Sequence, residues 1–393
     1  MNLLFIYNSP IIPENGGVQR VTHVLSSYFE AQGHTVSFLS LKTSESQDPR
    51  QHFLPDTERC NTSTNRIFLS QLLKKQKTDI IINQDGLNPD TCQLVFNSEH
   101  VGVHIVSVAH NSIIGAIKHF RYSRQDMFKK MHLAWLLPVF DWSLVNRTLQ
   151  YLFKKTHKAH FQGVVDNSDR FVLLSEYYKE ELEYIIGSFD QGKVCAISNP
   201  CTISRSTSSD TKKEKIALYV GRIDYAQKRN DLLLEIWQKI ENSVNDWKLV
   251  IVGDGGDFYQ MKAACSKKGL KHIEFIGKAN PLPYYQKASL FCMTSAFEGL
   301  PLTLVEAMTN GVVPFAFDSF ASLRSIIDNG NNGVIIKPFE QNKYVEKLVS
   351  LMRDDNLRSI YASNAVSKAR SFSLDEIGKK WLDLFKVLKN EDI

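Results

Sequence analysis

Short apolar runs alternate with amphipathic stretches along most of the chain. Leu3–Tyr7, Thr35–Leu41, Asp79–Asn83, Val103–Val108, Phe171–Leu174 and Val194–Ile197 are brief and mostly apolar, as strands buried on both faces require. Between the first two lies a loop with Pro10, Pro13, Gly16 and Gly17. Val18, Val21, Leu25, Tyr28 and Phe29 follow at helical spacing, and Gly33 ends the run. Strand, glycine-rich turn, helix and strand in that order predict a doubly wound parallel sheet. Residues 42–66 are polar and read as a surface excursion. Ser204–Lys215 has no apolar pattern and reads as a linker.

Beyond that linker the alternation restarts. Strands are expected at Ile216–Val220, Lys248–Val252, Ile273–Ile276, Leu290–Met293, Val312–Phe317 and Val334–Ile336. Helical spacing covers Asp231–Ile240, Phe258–Lys268, Tyr344–Met352, the stretch near Leu357–Ser371, and Leu374–Lys389. Each half can support its own parallel sheet. The reading is an α/β chain of two Rossmann-like domains facing each other across a cleft, residues 1–200 and 201–372.

Composition narrows the class. A chain of 393 residues exceeds one comfortable core, and 43% apolar with 23% charged residues is ordinary for a folded protein. The formal charge of +5 suits an anionic ligand or membrane surface. Six scattered cysteines without a C-x-x-C, a poor signal-peptide pattern at Met1–Pro10 and no long apolar span point to the cytoplasm. Residues 118–160 stand apart, with nine Lys or Arg against two Asp, interleaved with Phe120, Tyr122, Phe128, Trp135, Phe140, Trp142, Tyr151 and Phe153. This pattern fits a peripheral helix on an anionic bilayer, or a core-packed helical insertion with a solvated basic face. No nucleic-acid module accompanies the charge, so nucleic acid is not an expected partner.

Candidate chemistry gathers at strand ends. Phe297–Met308 places Glu298 in a loop and Glu306 on the second turn of a helix beginning near Pro301. The helix start there, after Gly299-Leu300, offers free N–H groups and a positive dipole end to an anion. Arg222 and Lys228 follow a strand and can clamp a diphosphate, Arg by planar bidentate bonds and Lys as a point charge. Gly16-Gly17 opens a helix, either as a phosphate approach or as a plain tight turn. His110 ends another strand, either as a site residue or as a histidine satisfied locally.

Together these motifs resemble the family 4 glycosyltransferases of the GT-B fold. The resemblance rests on GGVQR (Gly16–Arg20), AHN (Ala109–Asn111), ISNP (Ile197–Pro200), GRIDYAQK (Gly221–Lys228), VGDGG (Val252–Gly256) and FEGLPLTLVEAM, in that order across both halves. It implies a retaining transfer from a nucleotide-diphosphate sugar, UDP-sugar favoured, to a glycan or lipid-linked glycan in cell-surface polysaccharide assembly. Arg222 and Lys228 would hold the donor diphosphate, Glu306 the ribose, and Glu298 the sugar hydroxyls. Backbone at Gly299 and Leu300 would approach the phosphate or sugar. Gly16, Gly17 and Gly253 would complete the donor-binding set, with Gly17 against the diphosphate, and His110 would lie beside the sugar. No cofactor or metal is expected, and no D-x-D motif occurs. The last helix, residues 373–393, would cross back to the first domain, and the enzyme would sit in the cytoplasm, peripheral on the inner membrane face. Two departures stand out: Asn199 precedes Pro200 and Cys201 follows it, where the family has Asn-Gly after the proline, and the glycine turn reads Gly-Asp-Gly-Gly. The competing classes are a nucleotide-sugar epimerase of the same architecture, which needs an acid–base carboxylate pair not visible here, and a non-catalytic subunit, which intact charged motifs disfavour.

Overall fold

The computed structural model describes residues 1–43, 48–203 and 212–391. Thirteen strands lie among them, in two all-parallel sheets. The first sheet holds β1 (Asn2–Tyr7), β2 (Thr35–Ser40), β3 (Gln51–Phe53), β4 (Ile80–Asn83), β5 (His104–Ala109), β6 (Arg170–Leu173) and β7 (Val194–Ala196), in the order β3-β2-β1-β4-β5-β6-β7. The second holds β8 (Ile216–Val220), β9 (Lys248–Val252), β10 (Ile273–Gly277), β11 (Leu290–Met293), β12 (Val313–Phe317) and β13 (Val334–Ile336), in the order β10-β9-β8-β11-β12-β13. These are the two Rossmann-like parallel sheets that the alternation predicts. Only β3 escapes the pattern, because its three half-buried residues carry no run of their own and pair along β2 at the sheet edge. Residues 204–211 of the expected linker lie outside the described residues.

The chain divides into two units. One comprises Met1–Ile113, Tyr151–Thr202 and Ser373–Ile393, the other Ile114–Gln150 and Ile203–Phe372.

In the first unit the strands are buried because both sheet faces are covered. Leu4, Ile6, Leu39, Ile81 and Ile105 face a layer built from Leu69, Leu72, Leu73, Leu94 and Val95. Phe5 points the other way, 6.4 Å from the ring of Phe29 and 6.1 Å from that of Phe38. Phe29 lies on the helix Gly17–Ala31, whose apolar stripe it completes. The last helix, Leu374–Glu391, belongs to this unit and docks on the same stripe: Phe385 meets Phe29 at 5.2 Å, edge to face. Gly378 makes the approach possible, since a Cβ there would fall 2.3 Å from the Tyr28 ring.

In the second unit, Trp237, Tyr219, Phe315, Phe317 and Tyr344 fill a core with Leu233 and Ile236 from the helix Asn230–Ile240. Residues 114–150 pack here, although the sequence reading kept 118–160 whole within the first domain. The physical reason is aromatic contact. Tyr122 and His119 reach the ring of Phe339 at 5.0 and 5.8 Å, and His119 Nε2 lies 2.9 Å from the Ser319 carbonyl oxygen. The segment holds three short helices, Gly115–Lys118, Phe120–Ser123 and Gln125–Lys130, then a 3-10 stretch, Ala134–Asp141, and the start of the helix Ser143–Asn167. Phe120, Phe128 and Phe140 give it a small core, with ring centroids 4.8 to 6.5 Å apart.

Candidate active site

The order of the second sheet reverses between β8 and β11. Open α/β sheets form their ligand crevice outside the carboxyl ends of strands at such a reversal. The loops leaving these two strands carry Arg222, Lys228, Glu298, Gly299 and Leu300. Asp224 shapes the first loop. Its Oδ1 accepts the N–H groups of Ala226 and Gln227 at 2.9 and 3.0 Å, and its carbonyl accepts those of Lys228 and Arg229 at 2.9 and 3.1 Å. An aspartate folding its own backbone in this way is a turn former by chemistry. The second loop is stitched to the first. Ala296 N–H donates to the Gln227 carbonyl at 2.7 Å, and Gln227 Nε2 donates to the Phe297 carbonyl at 3.1 Å. The buried Thr294 hydroxyl lies 3.0 and 2.9 Å from the carbonyl oxygens of Lys228 and Arg229.

These contacts bring Lys228 Nζ to 2.6 Å from Glu298 Oε1, with the lysine side chain 19% and the glutamate 8% exposed. A charge pair so poorly solvated needs further hydrogen bonds to offset its desolvation. The ammonium has three N–H donors, and this contact uses one. Arg222 is more open. Its Nη2 donates to Gln227 Oε1 at 2.8 Å and lies 2.9 Å from Asp224 Oδ2, while the side chain is 58% exposed. Leu300 and Gly299 are buried beside the helix Leu302–Thr309, which starts after Pro301 as its cap. Glu306 lies on the second turn, 1% exposed, and its Oε2 accepts the Tyr285 hydroxyl at 3.0 Å.

Gly253 sits where β9 ends, at φ +145°, and a Cβ there would fall 1.9 Å from the Gly221 carbonyl oxygen. Its N–H donates to the Gly277 carbonyl at 2.8 Å. That glycine is required by the crossing of two strand ends, a demand independent of any ligand.

The first sheet reverses between β1 and β4. Gly16 caps the helix that follows β1 and Gly17 opens it. His110 follows β5, and its Nε2 pairs closely with Gln84 Oε1 at the end of β4. With the amide oxygen turned to the ring, Nε2 carries the proton and Nδ1 is the bare acceptor. His110 Nδ1 and Gln84 Nε2 are buried and find no hydrogen-bond partner among the described residues. Burial pulls the His110 imidazole down to about 4 from its ordinary 6.5, so it is neutral near pH 7. Asp85, which follows Gln84 in the chain, is pushed up by burial against the opposing pull of Thr91 and Lys42.

The second unit thus collects Arg222, Lys228, Glu298, Gly299 and Leu300 at one sheet reversal, with Glu306 one helical turn beyond. In the first unit, Gly16 and Gly17 lie at the start of the helix after β1, and His110 lies at the end of β5. Gln227, Thr294 and Tyr285 are supports that the sequence does not single out, and Gln84 is the neighbour of His110. Asn83-Gln84-Asp85-Gly86 at a strand end is the available signal for Gln84. The other three act through backbone, amide and hydroxyl contacts that no spacing reveals. No helix among the described residues is long and apolar enough to cross a membrane.

Two family models match in succession: Glycosyltransferase Family 4 over residues 15–205 and Glycosyl transferases group 1 over residues 202–368. Among curated relatives, the GalNAc-alpha-(1->4)-GalNAc-alpha-(1->3)-diNAcBac-PP-undecaprenol alpha-1,4-N-acetyl-D-galactosaminyltransferase of Campylobacter jejuni is 27% identical over 201 residues, covering 50% of this chain and 56% of that protein. The lipopolysaccharide 1,6-galactosyltransferase of Salmonella typhimurium is 27% identical over 205 residues, 50% of this chain and 55% of its own. The matched stretch therefore spans little more than half the length of either. Among solved structures, the lipopolysaccharide outer core galactosyltransferase WaaB superposes with a TM-score of 0.67 at 19% identity, covering 100% of both chains. The pneumococcal O-GlcNAc transferase GtfA in complex with UDP and GlcNAc does so at 0.72 and 14%, covering 99% of both. Those two likenesses bear on the fold, while the family models bear on descent; with one on each half, joined from residue 15 to residue 368, the chain belongs to family 4 of the glycosyltransferases.

Proposed function

We propose that the protein transfers a sugar, with retention at the anomeric carbon, from a UDP-sugar to a hydroxyl of a glycan or lipid-linked glycan in cell-surface polysaccharide assembly. The observation that carries this reading is the buried Lys228–Glu298 pair at the β8/β11 reversal, with Arg222 on the same loop as Lys228. Lys228 and Arg222 neutralise the diphosphate as its charge grows, and the start of the helix Leu302–Thr309 adds its dipole. Glu298 receives sugar hydroxyls, Glu306 the ribose, and His110 serves the sugar as a neutral imidazole. The C1–O bond to the diphosphate breaks and a C1–O bond to the acceptor forms on the same face. The acceptor proton passes to the departing phosphate oxygen, so the products are a nucleoside diphosphate and the lengthened acceptor. The chain's own cations supply the charge this needs, and we assign no metal or cofactor.

UDP is favoured by the UDP complex among the structural relatives, and a lipid-linked or polysaccharide acceptor by the names of the curated ones. The same names, with the exposed Trp135 and Trp142 of the basic segment, support a place on the cytoplasmic face of an anionic membrane.

Thermal stabilisation across UDP-, GDP- and ADP-sugars identifies the donor, because a ligand of the folded state raises its melting point. With that donor, Lys228→Ala is expected to cut turnover by roughly a hundredfold or more while the chain stays folded, the scale of losing one charge stabiliser. Wild-type turnover in that variant would refute the assignment, and proton NMR of the product that showed inversion would refute retention.

A further inference from the structure

Two bulky residues of the second unit hold the left-handed backbone region that favours glycine: Arg229 at φ +52° and Phe339 at φ +62°. Such a conformation in a side chain of this size persists only where its surroundings over-determine it, and it clusters at functional loops. The two residues touch: the Arg229 guanidinium carbon is 5.3 Å from the Phe339 ring centroid.

Arg229 follows Lys228 directly and is 7% exposed. Its Nε and Nη2 each lie 3.0 Å from a carboxylate oxygen of Asp231. Its Nη1 is buried and finds no hydrogen-bond partner among the described residues. Two rings add to the Asp231 contacts, Phe339 at 5.3 Å and, closer, Tyr122, whose centroid is 4.0 Å from the guanidinium carbon. A cation facing an aromatic ring at that distance, out of water, is in its strongest setting. Tyr122 is more than a hundred residues upstream, in the segment that interrupts the first unit's chain. The Thr294 hydroxyl reaches the carbonyl oxygens of Lys228 and Arg229, one on either side of the Arg229 Cα.

We infer that Tyr122 and Arg229 are positioning residues: the ring of the inserted segment pins Arg229 in its unfavourable backbone state, and that fixes the direction in which Lys228 leaves the loop toward Glu298 and the diphosphate. This rests on the diphosphate reading of Lys228 given above and goes beyond it, because it makes donor affinity depend on a segment remote in sequence. Arg229 touches no reacting atom; it acts through the backbone it shares with Lys228.

The test is calorimetric binding of UDP, GDP and ADP to the full chain, with melting temperatures measured alongside. Tyr122→Ala is expected to weaken the bound nucleotide about tenfold, with a modest fall in melting temperature and a cooperative unfolding transition retained. His119, Phe120, Phe128 and Phe140 keep the segment in place. Tyr122→Phe, which retains the ring face, should restore affinity to about twofold of wild type or better. Arg229→Lys keeps the charge without the planar stack and should fall between, which preserves a reading should the alanine variant unfold. Wild-type affinity in Tyr122→Ala overturns the inference, as does an equal loss in Tyr122→Phe. A wild-type chain that binds none of the three nucleotides overturns the diphosphate reading and this inference with it. A chain that binds one, with no change in the variants, overturns this inference alone.

Discussion

His110 and His119 are held neutral by burial, each drawn to about 4 from an ordinary 6.5. For His119 the Ser319 carbonyl opposes the shift, and Lys118 and Arg229 add to it. An unfolded chain takes up these two protons as pH falls through about 6.5, and the native chain refuses them until about 4. Stability is therefore highest above pH 6.5 and declines with acid, by up to about 1.4 kcal/mol per pH unit for each proton. His119→Gln should flatten the slope of the urea midpoint between pH 7 and pH 5; an unchanged slope would show that His119 titrates normally. Some of this residue-level picture was legible in the sequence. Lys228, Glu298 and Arg222 declared themselves because a charge beside a strand-end turn is visible in one dimension. Arg229 did not, since neither its left-handed backbone nor its ring contact leaves a trace in local spacing. Gly253 was legible as a glycine, but the demand that the Gly221 carbonyl places on it was not, because that comes from a neighbouring strand end.

At the level of elements, the strands were the easiest to read. A parallel sheet covered on both faces demands continuous apolar runs, and β1, β4, β8, β9 and β12 supply them. β3 was hidden because edge pairing asks little of its side chains. The segment between β5 and β6 gave its composition but not its partner: Phe120, Phe128 and Phe140 turn inward while Trp135 and Trp142 turn out, and an aromatic count cannot separate them. The last helix buries Ile377, Trp381, Phe385 and Leu388. Phe385 is fully buried, edge-on to Phe29 and 5.8 Å from Trp381. Phe385→Ala should cost about 3–5 kcal/mol, the usual price of removing a buried aromatic ring. Chemical denaturation checks this, and a loss below about 1 kcal/mol would mean that the helix hardly supports the first unit.

For the whole molecule, the membrane contact proposed above is testable at the exposed apolar side chains of residues 127–144. Trp135 is 73% exposed, Trp142 65%, Leu144 76% and Met131 57%, within the stretch 118–160 that carries nine Lys or Arg against two Asp. Apolar rings left in water beside cations suit an anionic interface. The chain is expected to cosediment with phosphatidylglycerol-containing vesicles in about 0.05 M salt and to release as salt rises to about 0.5 M, where charge screening is nearly complete. Trp135→Ala with Trp142→Ala should weaken that binding further, and a wild-type chain that ignores such vesicles at low salt would end the idea. One consequence of the interleaved connectivity concerns how the protein can be taken apart. Because Ile114–Gln150 lies with the second unit while both its ends lead into the first, severing the coding sequence near residue 200 does not separate two self-sufficient pieces. The downstream fragment loses Tyr122 and His119 from the faces of Arg229 and Phe339, and the upstream fragment carries an orphaned aromatic block and lacks its closing helix. Complementation from split fragments, or trading halves with a relative, has to carry residues 114–150 along with the unit they pack on rather than with the strands that flank them.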